Sequence, residues 1–135
     1  MNIKKDSFLD VAYFSMEVAL NSDMATYSGG LGVLAGDTLK TFADFKYSAL
    51  GITLLHEKGY VEQSLDSTGQ QISKSELWDK EKYLKKLPFT IKVPLGDHFV
   101  ECVVWQYDIV GQFGNTVPVY FLDSNVAQNT EYDRT

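Results

Sequence analysis

The spacing of hydrophobic and polar positions changes several times along the chain, and each change predicts an element. Residues 11–16 are β-prone and contain no glycine or proline, which predicts a strand buried on both faces. From residue 31 onward the apolar positions follow the 3.6-residue period of an amphipathic helix that ends near residue 45. Its apolar positions are Leu31, Leu34, Ala35, Leu39, Phe42 and Phe45, and its charged ones are Asp37, Lys40 and Asp44.

The rest of the chain is dominated by patterns that are typical of strands. Residues 52–56 and 60–63 predict a hairpin around the loop Glu57-Lys58-Gly59. Residues 75–86 are polar and predict a second helix that ends before Pro88. Residues 89–93 and 98–110 predict a long hairpin, and residues 117–122 predict a last strand. The order strand, helix, hairpin, helix, hairpin, strand therefore predicts an α/β domain with some antiparallel pairing.

Residues 26–37, TYSGGLGVLAGD, place three glycines directly before the predicted helix. A helix N-terminus has unpaired N–H groups and carries about half a positive charge, and glycines let an anion approach the backbone. The glycines therefore predict either a phosphate site or a tight turn into the helix. A Walker-type phosphate loop is excluded, because no glycine follows five positions after Gly29, Gly30 or Gly32.

The same glycines leave a second interpretation open. Gly30-x-Gly32-x-x-Ala35 matches the dinucleotide-binding fingerprint, and Glu57 stands about 20 residues downstream, where that fingerprint has an acidic residue. The fingerprint normally follows its strand directly, whereas residues 17–28 separate the two here. A dinucleotide-binding domain is therefore kept as an alternative.

Composition and charge narrow the classes of function. The chain has 135 residues, 44% of them hydrophobic, and a net charge of −6, which predicts one globular domain. Its lysines cluster in residues 74–86 among acidic residues, so we expect no nucleic-acid partner. No apolar run approaches the ~20 residues of a membrane span, so we expect no membrane partner and a cytoplasmic location.

Four single residues are assigned from their surroundings. Cys102 and Trp105 stand in an apolar, strand-like run, so both are expected in the core. His56 and His98 lack a second ligand at metal-binding spacing, so no metal site is expected.

Several motifs in order closely resemble the N-terminal part of the α-glucan (glycogen, starch or maltodextrin) phosphorylases, in particular the short bacterial and archaeal form. The resemblance covers nearly the whole chain. It is carried by AYFSME at 12–17, TYSGGLGVLAGDTL at 26–39, GITLL at 51–55 with KGY at 58–60 and Gln63, VPVYFLDSN at 117–125 and Asp133-Arg134.

This resemblance implies a fold and an activity. Phosphorylases are glycosyltransferases with two Rossmann-like lobes that use pyridoxal phosphate to cleave α-1,4-glucan with inorganic phosphate, releasing glucose 1-phosphate. Residues 1–135 are then expected to be a fragment, a partial N-terminal lobe with added antiparallel hairpins. The C-terminal lobe, and with it the lysine that binds the cofactor covalently, is expected to be absent. We therefore expect the chain alone to be inactive, to bind no cofactor covalently and to self-associate through an exposed apolar face.

The resemblance also assigns roles to single residues. It places Gly29, Gly30, Leu31 and Gly32 in the loop that faces phosphate and the glucosyl unit, with the N–H of Gly30 toward phosphate and the backbone of Leu31 toward the sugar. It places Glu17 near the cofactor phosphate. It assigns no catalytic and no metal-binding residue to this chain. Longer phosphorylases carry a tyrosine where this sequence has an alanine at position 19.

Two further classes remain as alternatives. Nucleotide-sugar-dependent glucan synthases share the Ser-x-Glu strand and the Gly-Gly-Leu-Gly helix start, but have a lysine where this chain has Tyr27. A stand-alone carbohydrate-binding module would use Trp78, Trp105 and tyrosines as platforms for sugar rings. Judged from the residues alone, two structural roles explain Glu17 equally well: it caps a helix, or it pairs with a lysine.

Overall fold

A computed structural model of the chain describes residues 11–56, 61–75 and 78–134. These residues contain a long helix, α1 (Gly30–Asp44), a short helix, α2 (Lys80–Tyr83), and a 3₁₀ turn at Glu131–Asp133. The strands are β1 (Val11–Phe14), β2 (Ala49–Leu54), β3 (Val61–Leu65), β4 (Gln71–Ser75), β5 (Lys85–Leu95), β6 (His98–Val110) and β7 (Thr116–Asp123).

Five of the strands form one mixed sheet in the order β1-β2-β7-β6-β5. β1, β2 and β7 run parallel, with Gly51 opposite both Tyr13 and Val119, while β6 is antiparallel to β7 and β5. β3 and β4 form a separate antiparallel pair. The predicted α/β class with antiparallel hairpins is confirmed, and the β1–α1–β2 crossover is compatible with a Rossmann-like unit.

The core lies between α1 and one face of this sheet. Leu39 of α1 reaches the sheet so closely that a Cβ on Gly51 would lie 2.9 Å from its Cδ1 atom. The largest fully buried side chains all belong to this layer, and they are Phe121, Met24, Leu39, Val18, Val117 and Val119. Cys102 and Trp105 are buried at 4% and 5% exposure, as the sequence predicts.

The buried face of the helix is shifted from the predicted one: Ala35 and Leu39 are buried and Phe42 packs against the core as expected, but the other large apolar residues are exposed. Its buried residues are mostly small, namely Gly32, Ala35, Gly36, Leu39 and Ala43, whereas Leu31, Leu34 and Phe45 are 50%, 61% and 73% exposed. A Cβ on Gly36 would lie 2.1 Å from the Ala19 carbonyl oxygen. The backbone of α1 therefore packs directly against neighbouring backbone at this point, which leaves no room for a side chain at position 36.

The prediction that the first strand is buried on both faces is wrong for this chain. Phe14 is 71% exposed, because α1 covers only the other face of the sheet. Side chains on the uncovered face line an open cavity of about 310 Å³ at the carboxyl ends of the parallel strands. We call this surface the open sheet face; its apolar residues are Phe14, Met16, Ile52, Leu54 and Leu122.

The first predicted hairpin is also wrong. β2 lies between β1 and β7, so both of its edges are occupied, and β3 pairs with β4 instead. The predicted loop at residues 57–59 lies outside the described residues.

Most of the second predicted helix is absent from the described part of residues 75–86. β4 extends to residue 75, residues 76 and 77 are not described, and only Lys80–Tyr83 is helical. The Asp79 carboxylate starts this turn by accepting the Glu81 N–H at 3.1 Å. Leu84 then returns to extended backbone and is buried, and β5 begins at the next residue, so burial of Leu84 and pairing of β5 with β6 outweigh helix propensity.

The long hairpin and the last strand are confirmed. β6 has the predicted bounds, and the turn before it contains Gly96 at φ +63°, a left-handed conformation that favours glycine. Neither helix in the described ranges is long and apolar enough to cross a membrane.

Candidate functional site

The glycine-rich segment forms the N-terminus of α1. Gly29 is the N-cap residue, with φ −152° and ψ −163°, and Gly30 is the first residue of the helix. A Cβ at Gly29 or Gly30 would meet nothing within 4 Å. Gly29 has a negative φ angle and Gly30 lies in regular helix, so backbone strain does not require glycine at either position, and the open space shows that packing does not require it either. Their effect is to leave the backbone open in front of the helix.

Gly32 has a different role. Its Cβ would lie 2.4 Å from Cβ of Tyr27 and 3.3 Å from Oε1 of Glu17. Packing therefore requires a glycine here, as the tight-turn interpretation predicts. The motif thus combines one packing glycine with two glycines that face open space.

The Glu17 carboxylate lies at the same helix end. Its Oε1 accepts the Gly32 N–H at 2.8 Å, and its Oε2 accepts the Ser28 N–H at 3.0 Å and the Ser28 hydroxyl at 3.4 Å. A side chain fifteen positions before its partner Gly32 therefore caps the helix. Of the interpretations that the residues alone leave open, helix capping is the one that this geometry matches.

Burial raises the pKa of Glu17, but the N–H groups of Ser28 and Gly32 and the Ser28 hydroxyl lower it by more. The net pKa lies below the usual value for glutamate. The carboxylate is therefore ionised at neutral pH, where it also interacts favourably with the positive end of the helix dipole.

Two N–H groups at this helix end stay available. A helix cannot pair its first N–H groups internally, and Glu17 takes the one of Gly32. Among the described residues, no group accepts a hydrogen bond from the N–H of Gly30 or Leu31. Gly30 is exposed and Leu31 is 50% exposed, so both donors are accessible to a ligand.

The structure thus brings together all five residues that the sequence assigns to the site, namely Glu17, Gly29, Gly30, Leu31 and Gly32. It adds Ser28, which sequence reasoning missed. A serine directly before a glycine-rich helix start is a typical capping residue, so its identity was a usable signal. Its N–H and hydroxyl instead act as donors to Glu17, which no local pattern indicates.

Two other groups of candidate residues lie elsewhere. Trp105 is buried and its Nε1–H donates to Asp123 at 3.1 Å, so it cannot serve as a platform for sugar rings. Trp78 is half-buried against the core.

The histidines have no metal-like surroundings in the ranges that the structure describes, where no cluster of three potential ligands occurs. His98 instead contacts two carboxylates, with Nδ1 3.2 Å from Asp97 and Nε2 3.2 Å from Asp133. Hydrogen bonds to Asp97 and then Asp133 raise the pKa of His98. Since Asp133 belongs to the last described segment, His98 ties that segment to the β5–β6 hairpin.

Comparison with known proteins identifies similar sequences. The maltodextrin phosphorylase of Thermococcus litoralis is 35% identical over 132 residues, which cover 93% of this chain and 15% of that protein. The glycogen phosphorylases of Mycobacterium tuberculosis and Aquifex aeolicus are 35% and 33% identical over 91% and 92% of the chain. The resemblance to the glycogen and maltodextrin phosphorylases is confirmed. The chain matches no protein-family model.

The chain spans only 14% to 18% of the length of these phosphorylases. Less than a tenth of the chain lies outside each match, so residues 17–32, with the glycine-rich helix start, lie inside the matched region. The similarity to phosphorylases therefore includes the candidate site and not only the surrounding scaffold.

Proposed function

We propose that this chain is part of the N-terminal lobe of an α-glucan phosphorylase. The complete enzyme is a glycosyltransferase that cleaves α-1,4-glucan with inorganic phosphate and releases glucose 1-phosphate. The similarity to named phosphorylases over more than nine-tenths of the chain supports this proposal. The parallel β1–α1–β2 crossover supports it as well, because ligands of such folds bind at the carboxyl ends of the strands and at helix N-termini.

The observation that carries the proposal is that the N–H groups of Gly30 and Leu31 have no hydrogen-bond acceptor among the described residues. Both belong to the first turn of α1, where the helix dipole favours an anion. The absence of a side chain at Gly29 and Gly30 lets a phosphate oxygen come within hydrogen-bond distance of the backbone. Such fixed donors need no reorganisation when charge develops on a phosphate, which makes this helix end suited to phosphorolysis.

Pyridoxal phosphate is the cofactor that the proposal implies. When bound, its phosphate supplies a proton donor and acceptor toward the substrate phosphate. The residues of this chain fit a phosphate group, because the start of α1 offers backbone donors and an open approach.

Four lysines of the described residues are engaged in contacts with other side chains. Lys80 pairs with Asp123, and Lys46, Lys82 and Lys86 lie over the rings of Phe113, Tyr83 and Trp105. The resemblance to phosphorylases implies that the lysine that binds the cofactor belongs to the C-terminal lobe, so the proposal places covalent attachment outside this chain.

The proposal is tested by assaying the complete gene product that contains this chain beside the 135-residue chain itself. We expect the complete product to release glucose 1-phosphate from maltodextrin and inorganic phosphate. We expect the chain alone to release none and to carry no cofactor adduct after borohydride reduction, measured by mass spectrometry. A complete product that instead consumes a nucleotide sugar would favour the glucan synthase alternative, and glucose 1-phosphate release by the chain alone would contradict the assignment of catalysis to the rest of the enzyme.

A further inference from the structure

Glu17 connects the end of β1 to the start of α1. Its two carboxylate oxygens accept the N–H of Ser28 and the N–H of Gly32, which stand on either side of the segment 29–31. Within that segment, Gly29 and Gly30 have no side chain that could hold them in place. The Gly29 backbone also interacts with the Glu17 carboxylate, the Val33 N–H donates to the Gly29 carbonyl at 3.3 Å, and Gly30 and Leu31 belong to α1, so Glu17 holds the segment at both of its ends and at Gly29.

The backbone around Glu17 is itself anchored. The Ser15 hydroxyl donates to the Glu17 carbonyl at 2.7 Å. The next residue, Val18, is 1% exposed and exchanges two hydrogen bonds with Thr26, at 3.0 Å and 2.6 Å. Glu17 is therefore a side chain of intermediate burial on a fixed backbone, which lets its carboxylate hold the first turn of α1 at a defined place.

Two successive glycines are a segment that needs such support. Glycine has the largest backbone freedom of all residues, so ordering two of them at a helix start costs more entropy than ordering other residues. The ends of helices fray when their N–H groups lack partners. Without the carboxylate, the first turn would keep the bond from the Ala19 N–H to the Gly32 carbonyl at 2.9 Å, but the Ser28 and Gly32 N–H groups would lose their acceptor and the Gly30 and Leu31 donors would be less firmly fixed.

We propose that Glu17 is a positioning residue, which holds the first turn of α1 so that the N–H groups of Gly30 and Leu31 face an incoming phosphate. The geometric part stands on this chain alone, and the identity of the ligand rests on the proposed function. Glu17 does not itself bind the phosphate, because both carry negative charge. It uses the Gly32 N–H and leaves the two outer N–H groups for the ligand.

A positioning role and a charge-based role predict different effects of substitution. Glu17→Gln keeps the length of the side chain and one acceptor oxygen but removes the charge. Glu17→Ala removes both contacts. If Glu17 positions the first turn of α1, Glu17→Gln should be impaired less than Glu17→Ala. If the charge of Glu17 were what matters, the two variants should be equally impaired.

The first measurement is amide hydrogen exchange of the chain by NMR. We expect Glu17→Ala to raise the exchange rates of the Gly32 and Ser28 N–H groups by about fivefold to tenfold, the range for loss of a helix cap. The exchange of Leu39, in the middle of α1, should not change. The matched control is Asp66→Ala, which removes a carboxylate that accepts the N–H groups of Thr68 and Gln70 at 2.8 Å and 2.9 Å in a remote turn.

The second measurement is steady-state kinetics of the complete gene product. We expect Glu17→Ala to lower kcat/KM for phosphate by about tenfold to a hundredfold, the cost of a misplaced binding group, with the KM for glucan unchanged. Glu17→Gln should restore part of this loss, and Asp66→Ala should match wild type.

Each result decides one part of the proposal. Unchanged Gly32 exchange in Glu17→Ala would overturn the positioning role. Faster exchange without any change in phosphate kinetics would overturn the link between the loop and phosphate. A wild-type product without phosphorolysis would overturn the proposed function, while the exchange experiment would still decide whether Glu17 holds the loop.

Discussion

At the scale of single residues, the glycines of the helix start separate into two kinds. A methyl group at Gly30 would meet nothing, whereas one at Gly32 would overlap Tyr27. The sequence shows the two as equivalent members of one motif. What distinguishes them is the path of residues 17–28, which brings Tyr27 and Glu17 back against the first turn of α1 and which no local pattern predicts.

Alanine substitutions test this distinction. Gly32→Ala should destabilise the chain by about 1–3 kcal/mol, because Tyr27 must move. Gly30→Ala should leave stability unchanged or raise it by up to about 1 kcal/mol, since alanine reduces the freedom of the unfolded chain. Urea denaturation measures both. In the complete gene product we expect Gly30→Ala to lower kcat/KM for phosphate by about tenfold or more, because the new Cβ obstructs the open approach.

Equal destabilisation by both substitutions would show that Gly30 serves only the turn. Normal phosphate kinetics of Gly30→Ala would separately contradict the assignment of its N–H to phosphate.

At the scale of elements, the last described segment is attached to the β5–β6 hairpin by polar groups. Asn129 accepts the Glu101 N–H at 2.8 Å and donates to the Glu101 carbonyl at 2.7 Å. His98 adds its contacts to Asp97 and Asp133, of which the Asp133 side chain is only 3% exposed. Protonated His98 can donate to both carboxylates at once, so this attachment depends on pH.

The direction of this pH dependence follows from the raised pKa of His98. A group with a raised folded-state pKa contributes its stability below its unfolded pKa, about 6.5, and that contribution is lost as the pH rises through the folded value. We therefore expect amide exchange of the segment Glu131–Asp133 to accelerate as the pH rises from about 6 to 8, after correction for intrinsic rates. His98→Gln should remove this dependence, with His56→Gln as the control. The same dependence of amide exchange on pH in wild type and His98→Gln would contradict this prediction.

The elements also show where sequence patterns suffice. β6 has the predicted bounds because long apolar alternation and two flanking turns fix both of its ends. The helical period of residues 31–45 predicts α1 and the burial of Ala35 and Leu39 correctly. It misses the shift of the buried face toward Gly36, because the decisive contact there is between the backbones of Gly36 and Ala19. The prediction of a helix over residues 75–86 fails because it rests on their polar composition, whereas burial of Leu84 decides the structure. The hydrophobic pattern of the sequence predicts an element well when the side chains of that element determine how it packs.

At the scale of the whole molecule, the most consequential surface is the open sheet face. Phe14, Met16 and Leu54 are 71%, 72% and 43% exposed at the carboxyl ends of parallel strands. Parallel strands are normally covered on both faces, and large exposed apolar patches promote association. The expectation of an exposed apolar face therefore agrees with the structure, while self-association stays a prediction.

Sedimentation velocity over a range of concentrations tests that prediction. We expect the chain to form dimers or larger species, and Phe14→Ser to shift it toward monomer. The control is Phe99→Ser, which replaces a phenylalanine that is 66% exposed on the β5–β6 hairpin, away from the open sheet face. A wild-type chain that remains monomeric at high concentration would contradict the prediction, as would equal effects of the two substitutions.

The place of β7 in the sheet has a consequence for synthesis on the ribosome. Among the described strands of this sheet, β7 is the last to be made, yet it lies in the middle, between β2 and β6. Until residue 123 has left the exit tunnel, β1 with β2 and β5 with β6 are separate halves whose inner edges have no partner. Such late, non-local pairing slows folding and exposes strand edges that can pair with other chains. We therefore expect this sheet to form only after residue 123 has been made, and the unpaired edges of β2 and β6 to be the surfaces at risk of pairing with other chains until then.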